Sequence, residues 1–261
     1  MNLLFTVCGR AGSKGFKSKN IQTFLGLPLP YYTFSAVDLF IKNHADEYDN
    51  ITVAVNTDSG ELINLLEQTT IIFKAVSRKP EHATDTASKF AVIKDTMFEC
   101  QKDSEKIFDI VVDLDITSPL RTLEDVELTI LALKQNLQAD WSFSVTHSRR
   151  NPYFNMVKEQ DGFYERVLKS DFNARQQAPV IYDMNASIYA YRNSFLSAES
   201  TKGVFDGKAV VHVMEDTAVL DIDSEEDFML MKVIAQYFYN NNKKYSDIRD
   251  NVKNIVSVQL S

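Results

Sequence analysis

Three groups of residues have the types and spacing to do chemistry. The first is the stretch Cys8-Gly9-Arg10-Ala11-Gly12-Ser13-Lys14-Gly15-Phe16-Lys17-Ser18-Lys19-Asn20, which holds three glycines and four cations and is followed by no acid before Asp38. Glycines let backbone N–H groups approach a ligand closely, and Arg10, Lys14, Lys17 and Lys19 supply positive charge. The stretch therefore suits a phosphate or nucleotide, with a solvated basic loop as the plain alternative. The second group is Asp113-Leu114-Asp115. On a strand these carboxylates project from one face and repel, so a cation, hydrogen-bond donors or a polar ligand is expected beside them. The third is Asp221-Ile222-Asp223. Alternation again places two hard oxygens on one side, where they could hold Mg²⁺, or another divalent cation such as Mn²⁺, against a triphosphate; a turn-forming pair is the other reading.

Two common phosphate loops do not fit the first group. A P-loop needs Gly-x-x-x-x-Gly-Lys-Ser/Thr, whereas the glycines fall at 9, 12 and 15 with Lys14 before the last. A dinucleotide fingerprint needs a glycine where Ala11 stands.

The elements that must position these groups follow from periodicity. Leu3–Val7 reads as a buried strand feeding the basic loop. Pro28 and Pro30 delay the next element, and Thr33–Asn43 reads as an amphipathic helix. Ile51–Val55 predicts a strand, Gly60–Gln68 a helix and Ile71–Val76 a strand. This rhythm implies a parallel sheet with right-handed crossovers and ligands beyond the carboxyl ends of its strands. A polar loop from Ser77 precedes a helix through Phe98 that Thr84 or Asp85 could cap. Asp109–Asp115 is a strand, and Thr122-Leu123-Glu124-Asp125 resembles a capping box opening a helix to about Gln135. Trp141–His147 predicts another strand. From 149 to 180 the rhythm lapses into a polar hairpin, read as an inserted lobe. Tyr182–Tyr189 returns to the sheet, and Val210–Val213 predicts a strand. Val219–Asp223 then leads to a helix from Glu225 to Tyr239 capped by Ser224. The fold class expected is α/β, a three-layer α/β/α arrangement over 1–240, with 241–261 as a tail without an assigned role.

Several strings also resemble the acylneuraminate cytidylyltransferases, which join CMP to nonulosonic acids such as sialic acid. They are Cys8–Gly15 with Lys19-Asn20-Ile21, Arg78-Lys79-Pro80-Glu81 with Asp85-Thr86-Ala87-Ser88, Thr117-Ser118-Pro119-Leu120-Arg121, and Asp221-Ile222-Asp223. The resemblance implies a Rossmann-like nucleotidyltransferase whose 149–180 lobe mediates homodimerisation. It implies that Arg10, Gly12, Ser13, Lys14 and Lys19 hold the triphosphate of CTP, with Asn20 and Arg78 at ribose and base. It implies catalytic roles for Arg10, Lys19, Asp221 and Asp223, the last two as metal ligands. The sugar site would comprise Asp115, Thr117, Ser118, Arg121, Arg175, Gln176 and Asn185. Arg121 could hold the sugar carboxylate bidentately, or instead pair with Glu124 or Asp125.

There are departures from the family pattern. Lys79 stands between Arg78 and the proline, and Asp115 stands where sialic-acid members usually carry glutamine. Asp183 replaces an arginine of those members, while Asn185 is kept. Asp-Leu-Asp, Arg150-Asn151-Pro152-Tyr153-Phe154-Asn155 and Tyr182–Ser187 together look like the branch that activates legionaminic acid. Two alternatives stay open: a nucleotidyltransferase for another sugar acid such as 3-deoxy-manno-octulosonate, and a non-catalytic nucleotide-binding regulator.

Composition sets outer bounds. The 261 residues suit one domain with an excursion, and 44% apolar content can bury a substantial core. A net charge of −8 argues against nucleic acid as the main partner. Cys8 and Cys100 form no metal-ligand spacing and point to a reducing compartment. No apolar run reaches 18 residues, and the N-terminus lacks a leader pattern, so a cytoplasmic protein without a membrane partner is expected. No nucleophile elbow accompanies the four histidines, which disfavours a Ser-His-Asp hydrolase.

Overall fold

The computed structural model describes residues 1–12, 15–84, 86–103, 106–201, 203–216 and 221–256. Its centre is a seven-stranded sheet built from β1 (Asn2–Cys8), β4 (Asn50–Thr57), β5 (Lys74–Ser77), β6 (Ile110–Leu114), β7 (Trp141–His147), β10 (Tyr182–Arg192) and β11 (Ala209–Val213), in the order β11-β7-β10-β6-β1-β4-β5. Only β10 runs antiparallel to its neighbours. The sheet is mostly parallel with helices on both faces, as expected. Two two-stranded ribbons complete the strands: β2 (Thr23–Phe24) with β3 (Leu27–Pro28), and β8 (Val157–Gln160) with β9 (Phe163–Arg166).

The alternation of β1 divides the core. Leu3, Phe5 and Val7 face a cluster formed with α1 (Leu29–His44), α2 (Gly60–Leu66), α4 (Leu123–Gln135), α6 (Glu225–Asn241) and α7 (Lys243–Ile255). Leu4 faces the other layer, where α3 (Lys89–Asp103) contributes Phe90, Ile93 and Met97 and the short α5 (Asn193–Ser197) contributes Phe195 and Leu196. Thr6, on that same face of β1, donates to Asp113 Oδ1 at 2.8 Å.

Local chemistry sets the helix ends. The Thr122/Asp125 and Ser224/Asp227 capping boxes form as read from sequence. The helix read from Thr33 begins instead at Leu29, because Pro30 falls in the first turn, where a missing N–H costs no hydrogen bond. The next helix begins at Lys89, too far on for Thr84 to cap it, and Asp85 lies outside the described residues. Val219 and Leu220 also lie outside them. The strand expected from Ile71 starts at Lys74, and Ile72 projects into solvent. The segment left without a role supplies α7, whose Tyr245, Ile248, Val252 and Ile255 are buried against the core. Ser35 Oγ of α1 donates to the Ile248 carbonyl at 2.6 Å, and Asn251 Nδ2 donates to Asp38 Oδ2 at 2.8 Å.

Strand order reverses between β1 and β6. The chain moves from β1 outward through β4 to β5, then returns across α3 to β6 on the other side. Ligands of open α/β sheets bind at such a reversal, outside the carboxyl ends of the strands. Those ends here carry Gly9-Arg10 and Asp115. Among the described residues, no helix is long and apolar enough to cross a membrane.

Candidate functional site

A cavity of about 210 Å³ opens at the reversal, lined by Cys8, Arg10, Lys19, Asn20, Arg78, His82, Lys89, Asp115, Thr117 and Asp221, among others. Segments far apart in sequence supply these residues: the loop after β1, the ends of β5 and β6, the start of α3, and the segment before α6. A larger cavity, about 560 Å³, lies among α1, α4 and α7, but Glu124, Glu127, Asp247 and Asp250 face only Lys244 there, away from the strand ends.

Close packing fixes the loop after β1. A Cβ on Gly9 would approach Ile116 Cδ1 at 2.8 Å and Leu62 Cδ2 at 2.9 Å. Gly15 lies against the backbone of Asp223, so the first and third sequence groups touch. Lys19 links them again, its Nζ donating to the Ile222 carbonyl and to Asp223 Oδ1, each at 2.9 Å. Asn20 Nδ2 holds the Arg10 carbonyl at 3.1 Å. Ser13 and Lys14 lie outside the described residues, and Gly12 sits exposed with φ +72°.

Arg78 is fixed from two directions. Its Nε donates to Asn56 Oδ1 at 2.9 Å and its Nη2 to the Asn56 carbonyl at 3.1 Å. The inserted Lys79 turns away and pairs with Asp95 of α3, holding the following turn, Pro80–His82, at the mouth.

The acidic end is held differently. Asp115 Oδ1 accepts from Thr117 N at 2.9 Å and Thr117 Oγ1 at 2.8 Å, and its Oδ2 lies 2.5 Å from Lys89 Nζ. Against the cost of burial, Lys89 and Thr117 hold the Asp115 carboxyl far below the usual carboxylate range. Of the cation, hydrogen-bond donors or polar ligand expected beside Asp113 and Asp115, the structure supplies the cation Lys89 and the donors Thr6 and Thr117, and sequence reasoning did not identify Lys89. His82 and Cys8 are further lining residues that it missed. Their only signal was position, in loops flanking motif strings.

Asp221 and Asp223 flank the fully buried Ile222; Asp221 lines the cavity, while Asp223 is exposed and pairs with Lys19. Burial and then the charge of Asp115 push the Asp221 carboxyl up to about 6, against the pull of Thr117 and Lys19. Its Oδ1 is buried with no hydrogen-bond partner among the described residues. An orphaned buried carboxylate oxygen next to an exposed second carboxylate fits a hard divalent cation whose shell is completed by phosphate oxygens and water. Among the described residues no third His, Cys, Asp or Glu joins them.

Other residues expected in the site lie elsewhere. Arg121 is 1% exposed and turns inward, its Nη2 donating to the carbonyls of Asp115 and Ser118, the latter at 2.8 Å. It bonds neither Glu124 nor Asp125, because Glu124 pairs with Lys244 and Asp125 closes the helix cap and meets His212. Burial pulls the Arg121 guanidinium down to about 10 despite the neighbouring acids. Ser118 and Asn185 are likewise buried, and Asn185 Oδ1 accepts from Ser144 Oγ at 2.6 Å. These three brace the walls rather than line the cavity. Arg175 and Gln176 lie exposed in the lobe, with Arg175 donating to the Ser148 carbonyl at 3.2 Å.

Comparison with known proteins places the chain among relatives of one family and fold. The sequence model of a family described as Cytidylyltransferase matches residues 5–244. The chain is 33% identical to a post-translational flagellin modification protein B of Campylobacter coli, over 90% of this chain and 95% of that one. It is 31% identical to a CMP-N,N'-diacetyllegionaminic acid synthase of Campylobacter jejuni, over 89% and 94%. A solved CMP:2-keto-3-deoxy-manno-octonic acid synthetase complexed with CTP shares the fold, with TM-score 0.61 and 13% identity, over 91% of this chain and 99% of that one.

Proposed function

This chain belongs to the cytidylyltransferase family, and we propose that it joins CMP from CTP to the anomeric hydroxyl of a legionaminic-acid-like nonulosonic acid, releasing pyrophosphate. The observation that carries this reading is the single cavity in which Arg10, Lys19, Asn20 and Arg78 meet Asp115, Thr117 and Asp221. A polyphosphate needs the first set, and a polyhydroxylated acid needs the hydrogen-bonding groups of the second.

The sugar hydroxyl attacks the α-phosphorus in line while the bond to the β-phosphate oxygen breaks. Such a transfer is accelerated mainly by positioning and charge neutralisation. Arg10 and Lys19, with Ser13 and Lys14 of the same loop, hold the triphosphate. Lys19 must then exchange part of its pairing with Asp223 for phosphate oxygens. Arg78, already oriented by Asn56, reads the base, and Asn20 the ribose. Asp221 and Asp223 would hold Mg²⁺ or Mn²⁺, which when bound neutralises charge on the triphosphate and the leaving pyrophosphate. Asp115 and Thr117 meet the sugar. Arg175 and Gln176, in the lobe, reach a sugar site across a homodimer. A CTP-dependent reaction of this kind suits the cytoplasm.

The test is pyrophosphate release from CTP and Mg²⁺ with N,N'-diacetyllegionaminic, N-acetylneuraminic, pseudaminic and 3-deoxy-manno-octulosonic acids offered separately. Turnover fastest with the first supports the proposal. Preference for the last would move the substrate to the shorter sugar acids, and CTP binding without turnover on any of them would make the protein a regulator.

A further inference from the structure

Lys89 opens α3 and is one of the few residues that touch both buried strand chemistry and the cavity. Its Nζ lies 2.9 Å from Asp113 Oδ2 and 2.5 Å from Asp115 Oδ2, and 5.2 Å from the centre of the Tyr189 ring. The two carboxylates differ in what else they can reach. Asp113 is fully buried, and its Oδ1 is taken by the Thr6 hydroxyl, so it serves to anchor the ammonium. Asp115 lines the cavity, with one oxygen set by Thr117 and the other by Lys89.

Two carboxylates meet one ammonium at this end, and the buried Arg121 guanidinium behind Asp115 balances the second, before Asp221 is added. Arg10 just beyond β1 and Arg78 just beyond β5 lie on the opposite side of the strand-order reversal from β6. The cavity wall therefore presents guanidinium groups toward β1 and β5 and the Asp115 carboxylate toward β6. Lys89 cannot serve as one more phosphate cation without leaving a buried carboxylate unpaired, which is strongly destabilising. Beyond β6 comes β10, which the chain enters from the lobe bearing Arg175 and Gln176.

We infer that Lys89 is a positioning residue for the sugar acid: anchored on Asp113, it clamps Asp115 as a fixed acceptor, so that the substrate must present a hydroxyl or amide N–H at that point. This deepens the proposed reaction and rests on it. A carboxylate held by Thr117 and Lys89 keeps its remaining lone pairs for a donor and offers none of its own. A site built to accept from an N–H or O–H rejects an analogue lacking it far more strongly than an apolar pocket would.

The experiment measures KM for CTP and for the sugar acid separately, by pyrophosphate release, using the acid the wild type turns over fastest. In Lys89→Met the KM for the sugar acid should rise about tenfold or more with KM for CTP nearly unchanged, and Lys89→Arg should recover most of the loss. Lys89→Met combined with Asp115→Asn should be no worse than the worse single variant, because both remove one clamp. If Lys89→Met fails to fold, Lys89→Met/Asp113→Asn removes the stranded charge and is read in the same way. A rise in KM for CTP, an unchanged KM for the sugar acid, or additive losses would overturn the inference. A wild type inactive on every sugar acid would instead overturn the reaction on which it rests.

Discussion

A methyl group at Gly15 would meet the carbonyl oxygen of Asp223 at 2.6 Å. Because both atoms belong to backbone, neither can swing aside, so Gly15→Ala should push the phosphate loop away from the acid pair. A displacement near 1 Å costs on the order of 10²-fold in a positioned reaction, and kcat/KM for CTP should fall by that order with the fold intact by circular dichroism. An unchanged kcat/KM would mean that this contact positions nothing. The two ends of the Lys19–Asp223 pair should separate kinetically. Asp223 is three-quarters exposed, so Asp223→Ala should leave melting nearly unchanged while turnover drops by about 10²–10³-fold. Lys19→Ala removes a charge-assisted contact of roughly 1.5–3 kcal/mol, and KM for CTP should rise about tenfold to a hundredfold. Wild-type turnover in Asp223→Ala would end the metal assignment, and unchanged CTP dependence in Lys19→Ala would take that residue out of the phosphate site.

At the scale of elements, His44 clasps two helical segments. Its Nδ1 lies 2.7 Å from Glu47 and its Nε2 2.7 Å from Glu127 of α4, joining the end of α1 to its neighbour in the same layer. Burial lowers the His44 pKa, but the hydrogen bonds to Glu127 and Glu47 outweigh it, so the folded value is raised. A raised folded value stabilises fully below the unfolded pKa of about 6.5 and is lost as pH rises through the folded one. Glu127→Gln should therefore lower the melting temperature by about 2 °C at pH 5.5 and leave it unchanged near pH 9, checked by scanning calorimetry at both values. A loss equal at both values would assign the contact to packing.

What could be read from the sequence divides along the same lines. The strands Leu3–Val7 and Trp141–His147 and both capping boxes were legible because each depends on neighbours within a few positions. The demand for a cation, hydrogen-bond donors or a polar ligand beside Asp113 and Asp115 was legible as well, since two carboxylates on one strand face impose it. Which cation answers it was not, because α3 crosses the sheet and brings Lys89 there from 24 positions before Asp113. The direction of Arg121 was hidden for the opposite reason. Its motif is local, but whether a guanidinium points into a cavity or beneath its floor depends on the carbonyls of Asp115 and Ser118 that receive it.

At the scale of the whole molecule, the β8–β9 ribbon lies largely exposed. The β8–β9 ribbon pairs Glu159 with Tyr164 and Gln160 with Phe163, so the adjacent Tyr164 and Phe163 project from opposite faces. They are 74% and 79% exposed, and Val157 in the same ribbon is 61% exposed. A two-stranded ribbon is marginal by itself in water, and one with an aromatic on each face gains its stability from whatever lies against it. In the proposed homodimer a second copy of the chain would cover exposed aromatic surface of the ribbon through a two-fold arrangement and bring the Arg175–Gln177 turn of the same lobe toward the partner's cavity. Sedimentation should give a species of twice the chain mass, and Phe163→Glu/Tyr164→Glu should shift it to one. Turnover should fall together with the dimer, while CTP binding, which uses residues of the sheet end, should persist. A monomeric wild type with full turnover would leave Arg175 and Gln176 outside the site and make the ribbon a surface feature of a self-sufficient subunit.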